Sequence, residues 1–177
     1  MIYKTYYSSP IGKLLLASDG ESLTGLWIEG QKHYLYKINE QLVTNDNLEI
    51  FKEVKNWLDK YFKGEKVNIN NLKLNPSGTK FQKEVWKVLC DIPYGEIITY
   101  KEISKKVAHN LNKERMSAQA VGGAVGHNPI SIIIPCHRVI GSDGNLTGYA
   151  GGIDKKIKLL QIEENDINKF YYKKRSD

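Results

Sequence analysis

A polar, asparagine-rich stretch from Glu65 to Ser77, ending in Asn75-Pro76-Ser77-Gly78, limits what this chain can fold into more than any other feature. Pro76 and Gly78 stop any regular element there, so the stretch reads as a linker between two small domains, residues 1–75 and 76–177. With 177 residues, of which 41% are apolar, the chain is long enough for two such units sharing an interface.

The first part has strand character. Residues 2–7 are Tyr-rich and extended, Ser9-Pro10-Ile11-Gly12 is turn chemistry, and Lys13 to Ser18 is an apolar run ending at Asp19-Gly20. Ser22 to Ile28 supplies a third strand, so the expectation is a three-stranded antiparallel meander with one face to be covered. Leu48 to Phe62 supplies the cover, because Phe51, Val54, Leu58, Tyr61 and Phe62 recur at helical spacing and Gly64 follows to end the helix.

The second part is mainly helical. Thr79 to Gln82 matches a capping box ahead of the apolar face Phe81, Val85, Val88 and Leu89, and Cys90 late on that helix reads as a core thiol. Thr99 to Glu102 opens a short helix, and a polar connector, His109 to Arg115, leads to a third helix starting near Ser117. Short helix, connector, short helix predicts a helix-turn-helix unit. The third helix contains Gly122, Gly123 and Gly126, each about 1 kcal/mol worse than alanine in a helix. Smallness is needed there, either for close helix packing or for backbone approach to DNA, where a helix without bulk suits the narrow minor groove.

After this helix a β-branched run, Ile132-Ile133-Ile134, stops at Pro135 and delivers Cys136, His137 and Arg138 in succession. An imidazole and a guanidinium beside a thiol favour its thiolate, the form that attacks, while the apolar run before it equally suits a cysteine packed in the core. Gly148 to Gly152 is a glycine-rich loop able to bring backbone amides close to a ligand. Asp154 is placed to cap a last helix, Lys155 to Glu164. Within it Glu163 either rims the apolar face or, if buried, pairs with His137.

The formal charge of +6 favours an anionic partner, nucleic acid first. Two cysteines make no disulfide framework and no zinc spacing, so no metal and no cofactor is expected. No signal peptide or membrane-spanning run is read, and a cytoplasmic location follows. The remaining low-complexity feature is the basic run Lys173-Lys174-Arg175.

The run Ile-Pro-Cys-His-Arg-Val, from Ile134 to Val139, resembles the active-site signature of the O6-alkylguanine-DNA alkyltransferases. The resemblance extends through Ser9 to Gly12, Ile92 to Glu96, Ala120 to Ala124, Asn128-Pro129 and Gly148 to Gly152, and so covers almost the whole chain. It implies an α/β N-terminal domain followed by a winged-helix-like C-terminal domain that carries the chemistry. It also implies a repair protein that flips O6-alkylguanine out of duplex DNA and moves the alkyl group irreversibly to its own Cys136, with O4-alkylthymine left open as a second substrate. On this resemblance His137 takes the thiol proton through a water and Glu163 holds the imidazole. Tyr100 crowds the target phosphate, Tyr149 stacks on the extruded base, and the Ala150 amide donates to O6. The carbonyls of Cys136 and Val139 select guanine, and Asn128 ties the recognition helix to the cysteine loop. Gly122 and Gly123 lie on the helix laid in the minor groove, and Arg138, grouped with the DNA-binding residues, gives structural support near the DNA-facing surface. The partner implied is double-stranded DNA carrying the lesion, met by a monomer.

One residue departs from the pattern. Where the family usually has an arginine immediately before Ala-Val-Gly-Gly-Ala, this chain has Gln119, which lacks the charge and planar guanidinium that fill the gap left by the flipped nucleotide. A competing reading is a sensor that binds the lesion without transfer. Relatives of that kind lack the motif cysteine, whereas Cys136 stands in an intact motif.

Overall fold

The computed structural model describes residues 1–173; Lys174 and Arg175 of the basic run lie outside the described residues. Strands β1 (Ile2–Ser9), β2 (Gly12–Ser18) and β3 (Leu23–Ile28) form the expected antiparallel meander, with Tyr7 opposite Leu14 and Leu16 opposite Leu26. The first turn is fixed by the Ser9 hydroxyl, which donates to the Gly12 carbonyl at 2.6 Å, and the second by Asp19, whose carboxylate accepts from the amides of Glu21 and Ser22. A fourth strand, β4 (Leu42–Thr44), adds to the outer edge of β1 in parallel, giving the order β3-β2-β1-β4. Three residues in a polar setting carry too little pattern to announce a strand.

Both faces of β2 are covered. Leu14 and Leu16 pack into the main core, and Leu15 and Ala17 join Trp27 under Tyr34, Leu35 and Ile38. The main core is closed by α1 (Glu49–Phe62), which buries Phe51, Val54, Leu58 and Tyr61 as its spacing requires.

Helix α2 (Lys80–Cys90) has the complete capping box, with Thr79 and Gln82 each accepting from the other's amide. Gly78 is required at its entry, since a Cβ there would stand 2.5 Å from the Trp86 ring. Helices α3 (Tyr100–Asn110) and α4 (Ala118–Gly126) follow, the latter capped by the Ser117 hydroxyl on the Ala120 amide. A two-residue strand at each end, β5 (Ile98–Thr99) and β6 (Val139–Ile140), pairs in parallel and ties the entry of α3 to the segment after Cys136. The last helix, α5 (Ile153–Ile162), begins two residues earlier than expected. Its N-cap is Gly152 at φ +96°, and Asp154 lies in the first turn, so the capping role given to Asp154 is corrected.

The two parts of the chain share one apolar core, in which Leu26 and Phe51 belong to the same cluster as Val85 and Ile134. The free edge of β3 is satisfied twice. Leu23 exchanges backbone bonds with Lys73 and Asn75 at the end of the linker, and Leu26 with Pro129 and Ser131, at 2.8 to 2.9 Å. The sheet therefore holds the segment that leads into Cys136.

Candidate active site

The isoleucine run is buried, but it turns and does not extend: Ile133 bonds back to Ser131 and Ile134 to Ile130. Ile132 sits at φ +72°, a conformation that costs a β-branched residue about 1–3 kcal/mol and persists because its surroundings hold it. Asn128 does much of the holding. Its amide donates to the Ile134 carbonyl at 2.8 Å and its oxygen accepts from the Ile130 amide at 3.0 Å. Cys136 then opens a 3-10 turn, Cys136–Arg138. Burial holds the Cys136 thiol above its ordinary value, although a hydrogen bond from the Asn128 side chain and the nearby Lys156 ammonium offset part of the rise. Cys90 has no such opposition; burial puts its thiol at about 11, which leaves it inert at neutral pH.

Glu163, the C-cap of α5, is the hub beneath the cysteine. One carboxylate oxygen accepts from His137 Nε2 and from the Tyr61 hydroxyl at 2.6 Å. The other accepts from Arg138 Nε at 2.6 Å and the Gly95 amide at 3.2 Å. Four donors fill the carboxylate's acceptor sites, with the acid 2% exposed. Burial would raise its pKa, but the His137 and Arg138 partners outweigh that and hold it at about 2. Burial lowers the His137 pKa despite the carboxylate, which favours the neutral ring. With Nε2–H donating to Glu163, Nδ1 is left bare, buried with no hydrogen-bond partner among the described residues. A buried imidazole nitrogen with a free lone pair, one residue from a buried thiol, is the arrangement a general base needs.

Cys136 opens into a cavity of about 380 Å³ lined also by Tyr100, Tyr149, Ala150, Gly122 and Gly123. The structure thus brings together helix α3, helix α4 and the glycine-rich loop around the thiol. The Tyr149 hydroxyl is buried with no hydrogen-bond partner. Val139 is fully buried, and its carbonyl accepts from Lys156 Nζ at 2.6 Å. A Cβ added at Gly122, Gly123 or Gly126 would meet nothing within 4 Å, so close packing inside this chain is not why these residues are small. Their face is open. A larger groove of about 1050 Å³ adjoins the cavity through Tyr100, Gly122 and Gly148, and Lys101, Lys105, Lys113 and Arg115 line it. Gln119 is exposed on the same groove.

Arg138 is 7% exposed, bound to Glu163 and to the Ile92 carbonyl at 2.7 Å, and lines neither the cavity nor the groove, so the support it gives goes to the acid. Three other residues were passed over. Tyr61 reads as core, and its hydroxyl gives the only hint that it needs a partner. Lys156 interrupts the apolar series Ile153, Ile157, Leu160 at helical spacing, a sign of a buried cation. It is fully buried, also reaches the Gly148 carbonyl at 3.2 Å, and burial lowers it to about 8. His33 carries no pattern at all.

Residues 2–76 match the family model described as 6-O-methylguanine DNA methyltransferase, ribonuclease-like domain, and residues 80–165 match 6-O-methylguanine DNA methyltransferase, DNA binding domain. A methylated-DNA–protein-cysteine methyltransferase of Haemophilus influenzae is 44% identical over 163 residues, 92% of this chain and 87% of the relative. One from Methanosarcina barkeri is 48% identical over 167 residues, 94% and 99% of the two chains. The crystal structure of Mycobacterium tuberculosis OGT in complex with DNA superposes with a TM-score of 0.79 at 39% identity, covering 95% of this chain and 94% of that one. With both family models matched and relatives of this likeness along nearly its full length, the chain belongs to the 6-O-methylguanine DNA methyltransferase family.

Proposed function

We propose that this chain repairs O6-alkylguanine in duplex DNA by transferring the alkyl group to Cys136, once per molecule. The observation that carries the reading is the buried Cys136 beside an imidazole whose Nδ1 is bare and whose Nε2 is held by an ionised Glu163. His137 takes the thiol proton through a water, and Glu163 stabilises the resulting imidazolium. The sulfur lone pair forms a bond to the alkyl carbon as the carbon–O6 bond breaks. The electron pair passes into the purine, which takes up one proton and leaves as guanine. The product is a thioether that water does not cleave, so there is no second turnover.

Placement supports the remaining roles. Tyr100, first residue of α3, and Tyr149 flank the cavity where an extrahelical base would lie, and the Ala150 amide is available to O6. The Val139 carbonyl spends one lone pair on Lys156 and keeps a second for the exocyclic amine of guanine. The open glycine face of α4 fits the minor groove, with the basic groove beside it taking phosphates. In this reading residues 76–177 supply the DNA-binding and reactive groups, residues 1–75 brace them, and a cytoplasmic monomer suffices. Intact mass and peptide mapping after incubation with duplex DNA carrying one O6-methylguanine test it. The expected result is one added methylene per chain, on Cys136 and absent from Cys136→Ser. Lesion binding with no gain in mass would make the chain a sensor instead.

A further inference from the structure

The cavity around Cys136 has a wall that comes from the sheet layer. After β3 the chain turns back over residues 29–37, and Lys32, His33 and His127 line the same cavity as the thiol. His33 stacks on His127, the C-cap of α4, with ring centroids 3.9 Å apart, and Tyr36 leans on the other member of the pair at 4.8 Å. His127 is fixed in turn by its Nδ1, which lies 2.7 Å from the Gly123 carbonyl. On the opposite side the Lys32 amide donates to the Ala150 carbonyl at 2.9 Å. The segment therefore bridges one side of the cavity, from the C-cap of the glycine helix to the glycine-rich loop that carries Ala150.

This bridge is built to stay in place. Gln31, 7% exposed, accepts from the Ile28 amide at 2.7 Å and from the Ser131 hydroxyl at 3.3 Å, and its own amide group donates to the Lys32 carbonyl at 3.2 Å. His33, Leu35 and Lys37 all adopt left-handed backbone conformations, with φ of +61°, +56° and +62°. Three such residues in five are held only where surrounding contacts fix them, and here the cost sets the imidazole of His33 against His127. At about 380 Å³ the cavity is near the small end of ligand pockets, which run from about 300 to 1,000 Å³, so its walls, His33 and His127 among them, bound what a base inside it can carry on O6.

We propose that His33, held by Gln31 and stacked on His127, is a specificity-determining residue that limits the size of the O6 substituent accepted. The inference rests on the alkyl-transfer reading. Methyl fits within the wall; a benzyl group has to displace the imidazole pair.

The test is a competition in which one protein pool meets equal amounts of two duplexes, one with O6-methylguanine and one with O6-benzylguanine, and mass spectrometry counts the two adducts on Cys136. Glycine accepts the φ of residue 33, so His33→Gly removes the ring without straining the backbone. It is expected to raise the benzyl-to-methyl ratio by about tenfold, the scale at which a pocket discriminates by size. His33→Phe, which keeps a stacking ring, is expected to retain the wild-type ratio. Because both adducts come from one pool, a reduced fraction of active protein cancels. An unchanged ratio in His33→Gly, or the same rise in His33→Phe, overturns the wall. Absence of any adduct on the wild-type chain is a different result, and overturns the transfer reading itself.

Discussion

Helix α4 and the Cys136–Glu163 network are built on opposite principles. The helix presents three glycines to open space, with no contact that a methyl group would disturb. The network saturates one carboxylate with four donors and buries almost every atom involved. A surface that must approach another backbone closely is made by leaving side chains out. A reactive pair that must keep one tautomer and one orientation is made by leaving no alternative bond. The same mutation, a change of a few atoms, should therefore have contrary effects in the two places.

Glu163→Gln should do the greatest harm. It leaves Arg138 buried without its counter-ion and frees the imidazole, at a cost of about 3–5 kcal/mol in stability and about a hundredfold or more in transfer rate. Urea unfolding and single-turnover kinetics measure both. A stability loss under about 1 kcal/mol would mean that the hub behaves like a surface ion pair.

The pH dependence sharpens the same point. The folded-state pKa of Glu163, about 2, lies below its ordinary 4.5, so its contribution is fully present above about pH 4.5 and is lost as pH falls toward 2. The urea midpoint should fall across that window in the wild type, and Glu163→Gln should flatten the fall. Parallel curves for the two proteins would place the acid sensitivity elsewhere.

At the helix the signs divide. Replacing Gly122 and Gly123 together by alanine should raise stability by about 1–2 kcal/mol, because helix propensity improves and nothing is crowded. Affinity for duplex DNA should drop several-fold while reaction with free O6-benzylguanine falls less, since the added methyl groups enter open space at the edge of the cavity and touch no member of the Cys136–Glu163 network. A fall in thermal midpoint would show that the glycines serve packing after all.

These contrasts also explain what the sequence disclosed. The meander, the capping box at Thr79 and the helix-turn-helix spacing are local, and each was legible because turn residues and apolar periodicity act over a few positions. Gln31, Tyr61 and Lys156 were not, since each matters through a partner 17 to 102 residues away: Val139 for Lys156, Ser131 for Gln31 and Glu163 for Tyr61. Arg138 is a halfway case. Its place in a reactive motif suggests structural support near the surface, and a carboxylate 25 residues on takes that support into the interior. For Glu163 the residue pattern leaned slightly to the rim over the partner, and its burial with four donors decides for the partner.

Gln119 tests the division most finely, because it stands on the exposed helix but concerns what enters the buried cavity. It lines the basic groove, one turn after Arg115, and has none of the network's ties. Gln119→Arg adds a planar cation where the duplex is expected to open, able to occupy the vacated stack and to pair with the orphaned base. It touches neither Cys136 nor Glu163, so the chemical step should not change. Transfer from O6-methylguanine in duplex DNA should therefore quicken by a few-fold, while reaction with free O6-benzylguanine, which needs no extrusion, stays as it was. Single-turnover rates on the two substrates decide it. Equal acceleration on both would place Gln119 inside the reactive network, and the separation between an open recognition face and a closed reactive one would fail at that residue.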